Sequence, residues 1–188
     1  MAFTSHKDQR IGIFIDIQNL YHSAKNLYAS RVNYRELIRC LTMNRRLIRA
    51  LAYVVRSDPQ TGEESFFEAL GKAGIELREK DIQIYPGGIK KADWDVGMAV
   101  DAIRMASFLD VVILVTGDGD FLPLIDYLKW GMGRGVEVAA FSHTASSRLK
   151  EAADVFIDLE KYPSILFKIQ KGDGEDKRGL GDKKISRK

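Results

Sequence analysis

Short apolar runs alternate along this chain with segments in which apolar residues recur at helical spacing. The runs are rich in aliphatic residues, as strands buried in a parallel sheet are, and they cover residues 11–17, 47–55, 111–115 and 136–141. Shorter strands are predicted within 75–85 and at 154–159. The predicted helices cover residues 20–27, 34–43, 63–73, 96–108, 121–130 and 145–153. This alternation predicts an α/β domain with three layers, in which helices cover both faces of a mainly parallel central sheet.

The C-terminal part of the chain differs in composition from the rest. Apolar residues almost vanish after residue 171, where Lys, Arg, Gly and Asp dominate, and such a segment cannot bury enough apolar surface to fold. With 188 residues, of which 45% are hydrophobic, the chain fits one globular domain. We predict a domain at residues 8–162 and a polar basic tail without fixed structure at residues 163–188.

Charge, cysteine content and hydropathy limit the class of protein. The formal net charge of +3 permits a polyanionic partner without requiring one. Cys40 is the only cysteine, which excludes a disulfide framework and a cysteine-based zinc cluster and fits a reducing compartment. No apolar run is long enough to span a membrane, and residues 1–10 lack the apolar core of a signal peptide. We expect a cytoplasmic protein with no membrane partner, and the sequence allows a homo-oligomer without requiring one.

Acidic residues follow two of the predicted strands. Asp16 lies at the end of the first strand, and Asp118 and Asp120 follow the run at 111–115 with a glycine before each. In an open α/β sheet the carboxyl ends of the strands form the ligand crevice. Asp118 or Asp120 alone could simply cap the helix that follows. Two aspartates beside glycines, which let a ligand approach the backbone closely, favour a cation site.

The predicted helix at 96–108 contributes two further acids. Asp95 lies in its first turn, and Asp93 is the natural N-cap candidate, so capping alone does not account for Asp95. Asp101 lies on an otherwise apolar strip of the helix. A buried carboxylate with hydrogen-bond partners and a functional carboxylate are both open for Asp101.

The acids converge at one edge of the sheet if the first strand and the strand at 111–115 are neighbours; they are Asp16, Asp95, Asp118 and Asp120. Carboxylates in one pocket repel each other unless a divalent cation neutralises them, and all-oxygen ligation selects Mg²⁺ or Mn²⁺ over zinc. A metal held in this way can orient a water molecule, lower its pKa and stabilise charge on a phosphoryl group. These properties suit a metal-dependent nuclease or phosphatase.

Polar residues near these acids are candidate substrate contacts. Lys90 and Lys91 could contact phosphates or could belong to a solvated loop. Thr116 and Ser142, which follow two of the predicted strands, are candidates for substrate binding. Trp94 could stack on a base, although packing against the core is the commoner role.

Other kinds of site find little support. The histidines His6, His22 and His143 lack the paired spacing of metal ligands, so we expect them to be solvated or hydrogen-bonded. The glycines at 116–120 match neither a Walker loop nor a dinucleotide-binding fingerprint, and no serine nucleophile elbow is present.

A set of motifs, taken together, resembles a known family. The motifs are Ile15-Asp-Ile-Gln-Asn19, Lys91-Ala-Asp-Trp-Asp-Val-Gly-Met-Ala-Val-Asp-Ala102, Thr116-Gly-Asp-Gly-Asp-Phe-Leu-Pro-Leu124 and Ser147-Arg-Leu-Lys-Glu-Ala-Ala-Asp-Val-Phe-Ile-Asp-Leu159. In this order they resemble the NYN domain in its bacterial LabA-like branch. The resemblance implies a PIN-like, Rossmann-like α/β/α fold and a Mg²⁺-dependent ribonuclease site.

The resemblance also implies roles for individual residues. Carried over by motif, it implies that the metal ligands and catalytic residues are Asp16, Asp95, Asp118 and Asp120. It further implies that Asn19 supports Asp16 and contacts the substrate, and that Asp101 is a candidate for the layer of side chains around the ligands. Lys91-Ala92 stands where the family often has Lys-Gly, a departure that leaves the acids intact.

The main hypothesis is therefore a Mg²⁺- or Mn²⁺-dependent ribonuclease that hydrolyses phosphodiester bonds in RNA. The alternative is an RNA- or protein-binding regulatory module that keeps the acidic pocket but turns over slowly or not at all. A phosphatase for small phosphoesters is a third hypothesis. Against it, Gln18 stands where haloacid-dehalogenase enzymes have the second acid of an Asp-x-Asp pair.

Overall fold

The computed structural model describes residues 6–56, 64–81, 83–84, 90–91 and 94–168. Its strands are β1 (Arg10–Asp16), β2 (Ser30–Val32), β3 (Arg46–Arg56), β4 (Glu76–Asp81), β5 (Gln83–Ile84), β6 (Lys90–Lys91), β7 (Val111–Val115), β8 (Gly135–Ala140), β9 (Val155–Asp158) and β10 (Leu166–Lys168). Its helices are α1 (Ile17–Tyr28), α2 (Tyr34–Thr42), α3 (Glu64–Lys72), α4 (Asp95–Ala106), α5 (Leu122–Asp126) and α6 (Ser147–Ala152). None of these helices has the length and apolar character that a membrane span requires, as far as the described residues go.

A six-stranded sheet with the order β4-β3-β1-β7-β8-β9 forms the centre of the fold. All neighbouring strands in this sheet are parallel. The chain begins in the middle at β1, proceeds outward through β3 and β4, and then returns to place β7 on the other side of β1. This is the strand order of doubly wound sheets, in which the crevice at the point of reversal binds ligands. The predicted neighbourhood of the first strand and the strand at 111–115 is confirmed.

Two apolar cores lie on opposite faces of the sheet. Ile13 and Ile15 of β1 belong to one core with residues of α1 and α2, and Phe14 belongs to the other with residues of α4 and α5. Successive side chains of a strand point to opposite faces, so a strand covered on both sides must be apolar throughout. The three-layer α/β/α architecture predicted from the apolar runs is confirmed.

The segment after β7 differs from the single predicted helix at 121–130. It consists of a 3₁₀ turn at Gly119–Phe121, the short helix α5, and a wider π turn at Tyr127–Gly131. Pro123 lies in the first turn of α5, where its missing N–H costs nothing. The apolar spacing therefore indicated a helical segment but did not show its subdivision.

The fold extends beyond the predicted domain limit at residue 162. β10 pairs with β2 in an antiparallel arrangement that the sequence pattern did not indicate. The N–H of Asn33 donates to the carbonyl oxygen of Ile165 at 2.7 Å, and the Ile165 side chain is fully buried. Residues 163–168 thus belong to the folded domain and not to the predicted tail, whereas residues 169–188 lie outside the described residues.

An ion pair joins the beginnings of β1 and β7. Arg10 donates from Nη2 to Oδ1 of Asp110 at 2.7 Å, and its backbone N–H donates to Oδ2 at 2.7 Å. The N–H of Asp110 in turn donates to the carbonyl oxygen of Arg10 at 2.8 Å. These contacts fix the two central strands relative to each other at their amino ends.

A second ion pair is buried. Arg45 donates from Nη1 and Nη2 to the two carboxylate oxygens of Glu137 on β8 at 2.6 and 2.9 Å, and both side chains are at most 4% exposed. Arg45 Nη2 also donates to the carbonyl oxygen of Leu41 at the end of α2. The pair therefore ties a helix of one layer to the sheet.

The Asp110 carboxyl predicts an acid dependence of stability. Its pKa is held at about 2, chiefly by the side-chain hydrogen bond from Arg10. Because the ordinary value is about 4, the unfolded chain binds more protons between roughly pH 4 and pH 2, and the contribution of this pair to stability is lost as the pH falls through that range. We expect Asp110→Asn to lower the free energy of unfolding at neutral pH and to flatten its decline in acid, as measured by urea unfolding. An equally steep decline in both proteins would contradict this expectation.

Removing one partner of the buried pair should be costly. Glu137→Ala leaves the Arg45 guanidinium buried without its counter-ion, so we expect a loss of about 3–5 kcal/mol in the free energy of unfolding. The control is Glu68→Ala, which breaks an exposed pair with Lys72 on α3 and should change stability by less than about 1 kcal/mol. Urea unfolding measures the loss of stability in both variants. Equal losses would show that burial does not make the Arg45–Glu137 pair more costly to break than the exposed pair.

Candidate metal centre

The site lies where the sheet reverses its strand order. β1 and β7 are paired in register as far as Ile15 and Val115, so the turns that follow them start side by side. A cleft of about 400 Å³ opens at this edge. It is lined by residues of α1, the ends of β1 and β3, and the loops before α4 and after β7 and β8. A cavity therefore lies at the edge of the sheet where the sequence predicts that the acids meet.

Three aspartates bring their carboxylates together here. Asp95, Asp118 and Asp120 each offer an oxygen, and these oxygens lie within 4.8 Å of one another. Asp95 is the first residue of α4, whose N-terminus has no side-chain cap, while Asp118 caps the 3₁₀ turn that contains Asp120. Oxygens bound to one Mg²⁺ lie roughly 3–4 Å apart at the usual ligand distance, so small side-chain rotations would suffice to hold an ion. Asp95 and Asp118 are half-buried and Asp120 is exposed, which leaves one side open to a substrate.

Asp16 lines the same cleft but is not one of the carboxylates in this cluster. Its Oδ1 accepts a hydrogen bond from the N–H of Asn19 at 3.0 Å and so caps α1, and its Oδ2 accepts one from the hydroxyl of Thr116 at 3.2 Å. Burial raises the pKa of the Asp16 carboxyl, and the neighbouring Asp118 carboxylate adds to this, whereas the hydrogen bonds oppose it. Asp16 therefore both caps α1 and lines the cleft.

Side chains connect the turn after β1 to the turn after β7. Asn19 Oδ1 accepts from the N–H of Gly117 at 2.9 Å, and Thr116 Oγ1 accepts from the N–H of Asp118 at 3.2 Å while donating to Asp16. We refer to Asp16, Asn19, Thr116 and Gly117 as the strand-end network. Thr116 is 1% exposed and is not among the lining residues, and its hydrogen bonds link Asp16 to the backbone of Asp118.

Packing restricts the two glycines of this turn to different degrees. A Cβ on Gly117 would lie 3.1 Å from Cα of Ala145 and 3.2 Å from the carbonyl oxygen of Thr144. A Cβ on Gly119 would lie 3.1 Å from Oγ of Ser146, a side chain that can rotate away. The segment after β8 therefore packs directly on the acidic turn.

Asp101 supports the aromatic side of the cleft. Its Oδ2 accepts hydrogen bonds from the hydroxyl of Tyr53 at 3.1 Å and from Nε of Arg78 at 3.2 Å. Tyr53 lines the cleft and is paired in register with Asp16. Burial raises the pKa of the Tyr53 hydroxyl, as does the Asp101 carboxylate. Two roles were left open for Asp101. The structure shows a half-buried carboxylate with hydrogen-bond partners, and one of these partners, Tyr53, lines the cleft.

The remaining candidates fall in different places. Trp94 lines the cleft and is fixed by a hydrogen bond from Nε1 to the carbonyl oxygen of Val54 at 2.8 Å. Ser142 does not line the cleft. Its carbonyl and hydroxyl oxygens accept hydrogen bonds from Nζ of Lys150 at 2.6 and 3.1 Å. Lys90 and Lys91 form β6, and their side chains lie outside the described part of the chain, as does Asp93.

The sequence pattern missed a row of polar side chains on α1. Gln18, His22 and Asn26 all line the cleft, whereas His22 was expected only to be solvated or hydrogen-bonded. Their spacing of four residues on a helix that starts directly after Asp16 is the signal that could have indicated them. Tyr53 was also missed, since its relation to Asp16 depends on the pairing of β1 with β3.

Comparison with known proteins identifies the family and the fold of this chain. Residues 10–160 match the NYN domain. The low amplitude and bright protein LabA of Synechococcus elongatus is 24% identical, in an alignment that covers 91% of this chain and 93% of that protein. A crystal structure of a protein of unknown function from Vibrio parahaemolyticus has a TM-score of 0.78 and 31% identity, and covers 88% of this chain and 100% of its own. Since the family match spans most of the chain and the fold is that of PIN-like domains, this chain belongs to the NYN domain family, in its LabA-like branch.

Proposed function

We propose that this protein is a Mg²⁺- or Mn²⁺-dependent ribonuclease that hydrolyses phosphodiester bonds in RNA. The observation that carries the proposal is the meeting of Asp95, Asp118 and Asp120 at the reversal point of the sheet. The NYN family consists of PIN-like nuclease domains, which supports hydrolysis as the reaction.

The donor set fits a hard divalent cation. Carboxylates whose oxygens lie within 4.8 Å of one another repel, and a cation removes that repulsion. The cluster offers oxygen ligands alone, which suit Mg²⁺ or Mn²⁺. Once bound, such an ion would supply an activated water molecule and stabilise the negative charge that develops on the phosphoryl group.

The residues around the cluster hold the acids in place. The strand-end network fixes the turn that carries Asp118 to the turn that carries Asp16, so the two carboxylates face one cleft. We propose that Asp16 takes part as a fourth acid, because it lines that cleft and interacts electrostatically with Asp118. Asn19 acts through the backbone of Gly117, and Lys90 and Lys91 remain proposed contacts for RNA phosphates.

A second candidate function is an RNA- or protein-binding regulatory module with slow or no turnover. The observation that favours it is the engagement of both Asp16 oxygens by hydrogen bonds within the protein. If Asp16 keeps only that role, the site has the three clustered acids and lacks the fourth acid proposed for the ribonuclease. The two candidates differ in metal-dependent product formation.

The first test of the proposal is Asp118→Asn. An asparagine oxygen can still accept the hydrogen bond that Asp118 Oδ1 receives from the N–H of Asp120, so the turn should keep its shape. Because the substitution removes one of the clustered charges, we expect Mg²⁺-dependent cleavage to fall at least about 100-fold, on the scale typical of losing one electrostatic catalytic group. The measurement is cleavage of labelled structured and single-stranded RNA with Mg²⁺, Mn²⁺ or EDTA.

The matched control for that test is Asp126→Asn. Asp126 is exposed at the end of α5 and does not line the cleft, so cleavage should match that of the wild type. Full activity of Asp118→Asn would refute the site. No product from the wild type, with RNA still bound, would favour the regulatory module.

The two glycines give a further test of how the site is held. In Gly117→Ala the new Cβ meets backbone atoms that cannot rotate away, so we expect a loss of about 1–3 kcal/mol in stability and weaker stabilisation by added Mg²⁺. In Gly119→Ala the neighbour is the Ser146 hydroxyl, which can move, and both properties should stay near those of the wild type. Thermal unfolding with and without Mg²⁺ compares the pair, and equal behaviour of the two variants would show that the contact with Thr144 and Ala145 is unimportant.

A further inference from the structure

The polar row on α1 forms one wall of the cleft. Gln18, His22 and Asn26, here named the α1 strip, follow one another at intervals of four residues and all line the cavity. Eight residues of helix cover about 12 Å, and side chains four apart lie on the same face. The strip begins two residues after Asp16, which is the N-cap of the same helix. It therefore runs away from the acidic cluster along the cleft.

The strip differs from its neighbours on α1 in its hydrogen bonding. Asn19 is bound to Gly117, and the hydroxyl of Ser23 lies 3.0 Å from that of Thr144, so these two residues hold the frame of the cleft. The Gln18 and Asn26 side chains make no hydrogen bond to another residue within the described ranges. Two amide groups thus face a cavity with their donors and acceptors available.

The chemistry of the wall suits a base better than a phosphate. Among the described residues that line the cleft there is no lysine or arginine, the side chains that usually bind phosphates. An amide presents two donors on nitrogen and an acceptor on oxygen, which match the edges of nucleobases. Contacts of this kind specify sequence, whereas phosphate contacts position the backbone.

The same cleft also offers an aromatic surface. The Trp94 ring is fixed by its hydrogen bond to Val54 and by edge contact with Tyr53, with ring centroids 5.5 Å apart. Gly97 permits this position, because a Cβ there would lie 2.5 Å from the Trp94 ring. Fixed aromatic rings beside hydrogen-bonding side chains are the arrangement in which unpaired bases are held.

We propose that the α1 strip recognises the base of an unpaired nucleotide beside the phosphodiester bond that is cut, and so sets the base preference of the site. The inference rests on the proposed ribonuclease function and adds the residues that select the substrate. A base within a duplex has its pairing edge occupied, so the strip acts on loops and single strands.

The test compares Gln18→Ala/Asn26→Ala with the wild type and with Asn44→Gly. Asn44 is an exposed amide in the left-handed conformation, with φ of 62°, and it lies before β3, at the opposite edge of the sheet. Glycine adopts this conformation readily, so Asn44→Gly removes an amide without strain. Alanine is a better helix former than either amide of the strip, so the double variant should fold.

Two measurements are made on each protein. The first maps cleavage of single-stranded RNAs that differ only in the base beside the cleavage site. The second measures fluorescence-anisotropy binding of the same RNAs, each with a non-hydrolysable linkage at the cleavage site, in the presence of Mg²⁺ and with Asp95, Asp118 and Asp120 all intact. Loss of two hydrogen bonds should weaken binding of the preferred RNA about tenfold and flatten the base preference of cleavage. The Asn44→Gly protein should keep the wild-type preference.

The outcomes separate this proposal from the proposed function. Cleavage by the double variant with the wild-type base preference and affinity would overturn the role of the strip while leaving the ribonuclease in place. Base-selective binding that depends on the strip, without cleavage by the wild type, would support the strip and overturn hydrolysis. Failure of every protein to bind any of the RNAs would overturn the strip as a recognition surface.

Discussion

The structure depends on keeping two adjacent parallel strands in register at the point where the strand order of the sheet reverses. β1 and β7 are joined at their amino ends by Arg10 and Asp110, and at their carboxyl ends by the strand-end network. Both ends of the pair are therefore fixed by side chains in addition to the backbone ladder. Since the following helices leave toward opposite faces, the turns between them must open into a crevice. The position of the site follows from this constraint.

Clustering of the acids opposes folding, and the surrounding contacts offset it. Burial and the proximity of Asp118 favour the protonated form of Asp16, which is the direction expected when a carboxylate loses water and gains a like-charged neighbour. Backbone N–H groups and the Thr116 hydroxyl supply partners that keep these carboxylates oriented. A cation would relieve the same repulsion. Under the proposed function, the acids would bind a cation, and their repulsion would be the cost in stability that the site carries without it.

Sequence alone indicated the sheet and the acids, because a strand buried on both faces produces an unbroken apolar run whose end is easy to see. The run at 111–115 coincides with β7, and Asp118 lies three residues after its end. The pairing of β2 with β10 was missed because three-residue strands show no periodicity. The cluster of Asp95 with Asp118 depends on how α4 crosses the sheet, which no local pattern contains. The α1 strip resembles an ordinary solvated helix face until the cleft beside it is known.

The composition of the cleft links ion binding to substrate binding. Its acids repel a phosphodiester, and no lysine or arginine lies among the described residues of its lining to counter that repulsion. Under the proposed function, a cation held by the acids would supply affinity for a phosphate in the cleft, together with the proposed contacts of Lys90 and Lys91, while the amides of α1 would add selectivity without charge. A module that bound RNA here without an ion would need cationic side chains at the same place. Under the proposed function, the ion would therefore bind first and nucleic acid would bind to the loaded site.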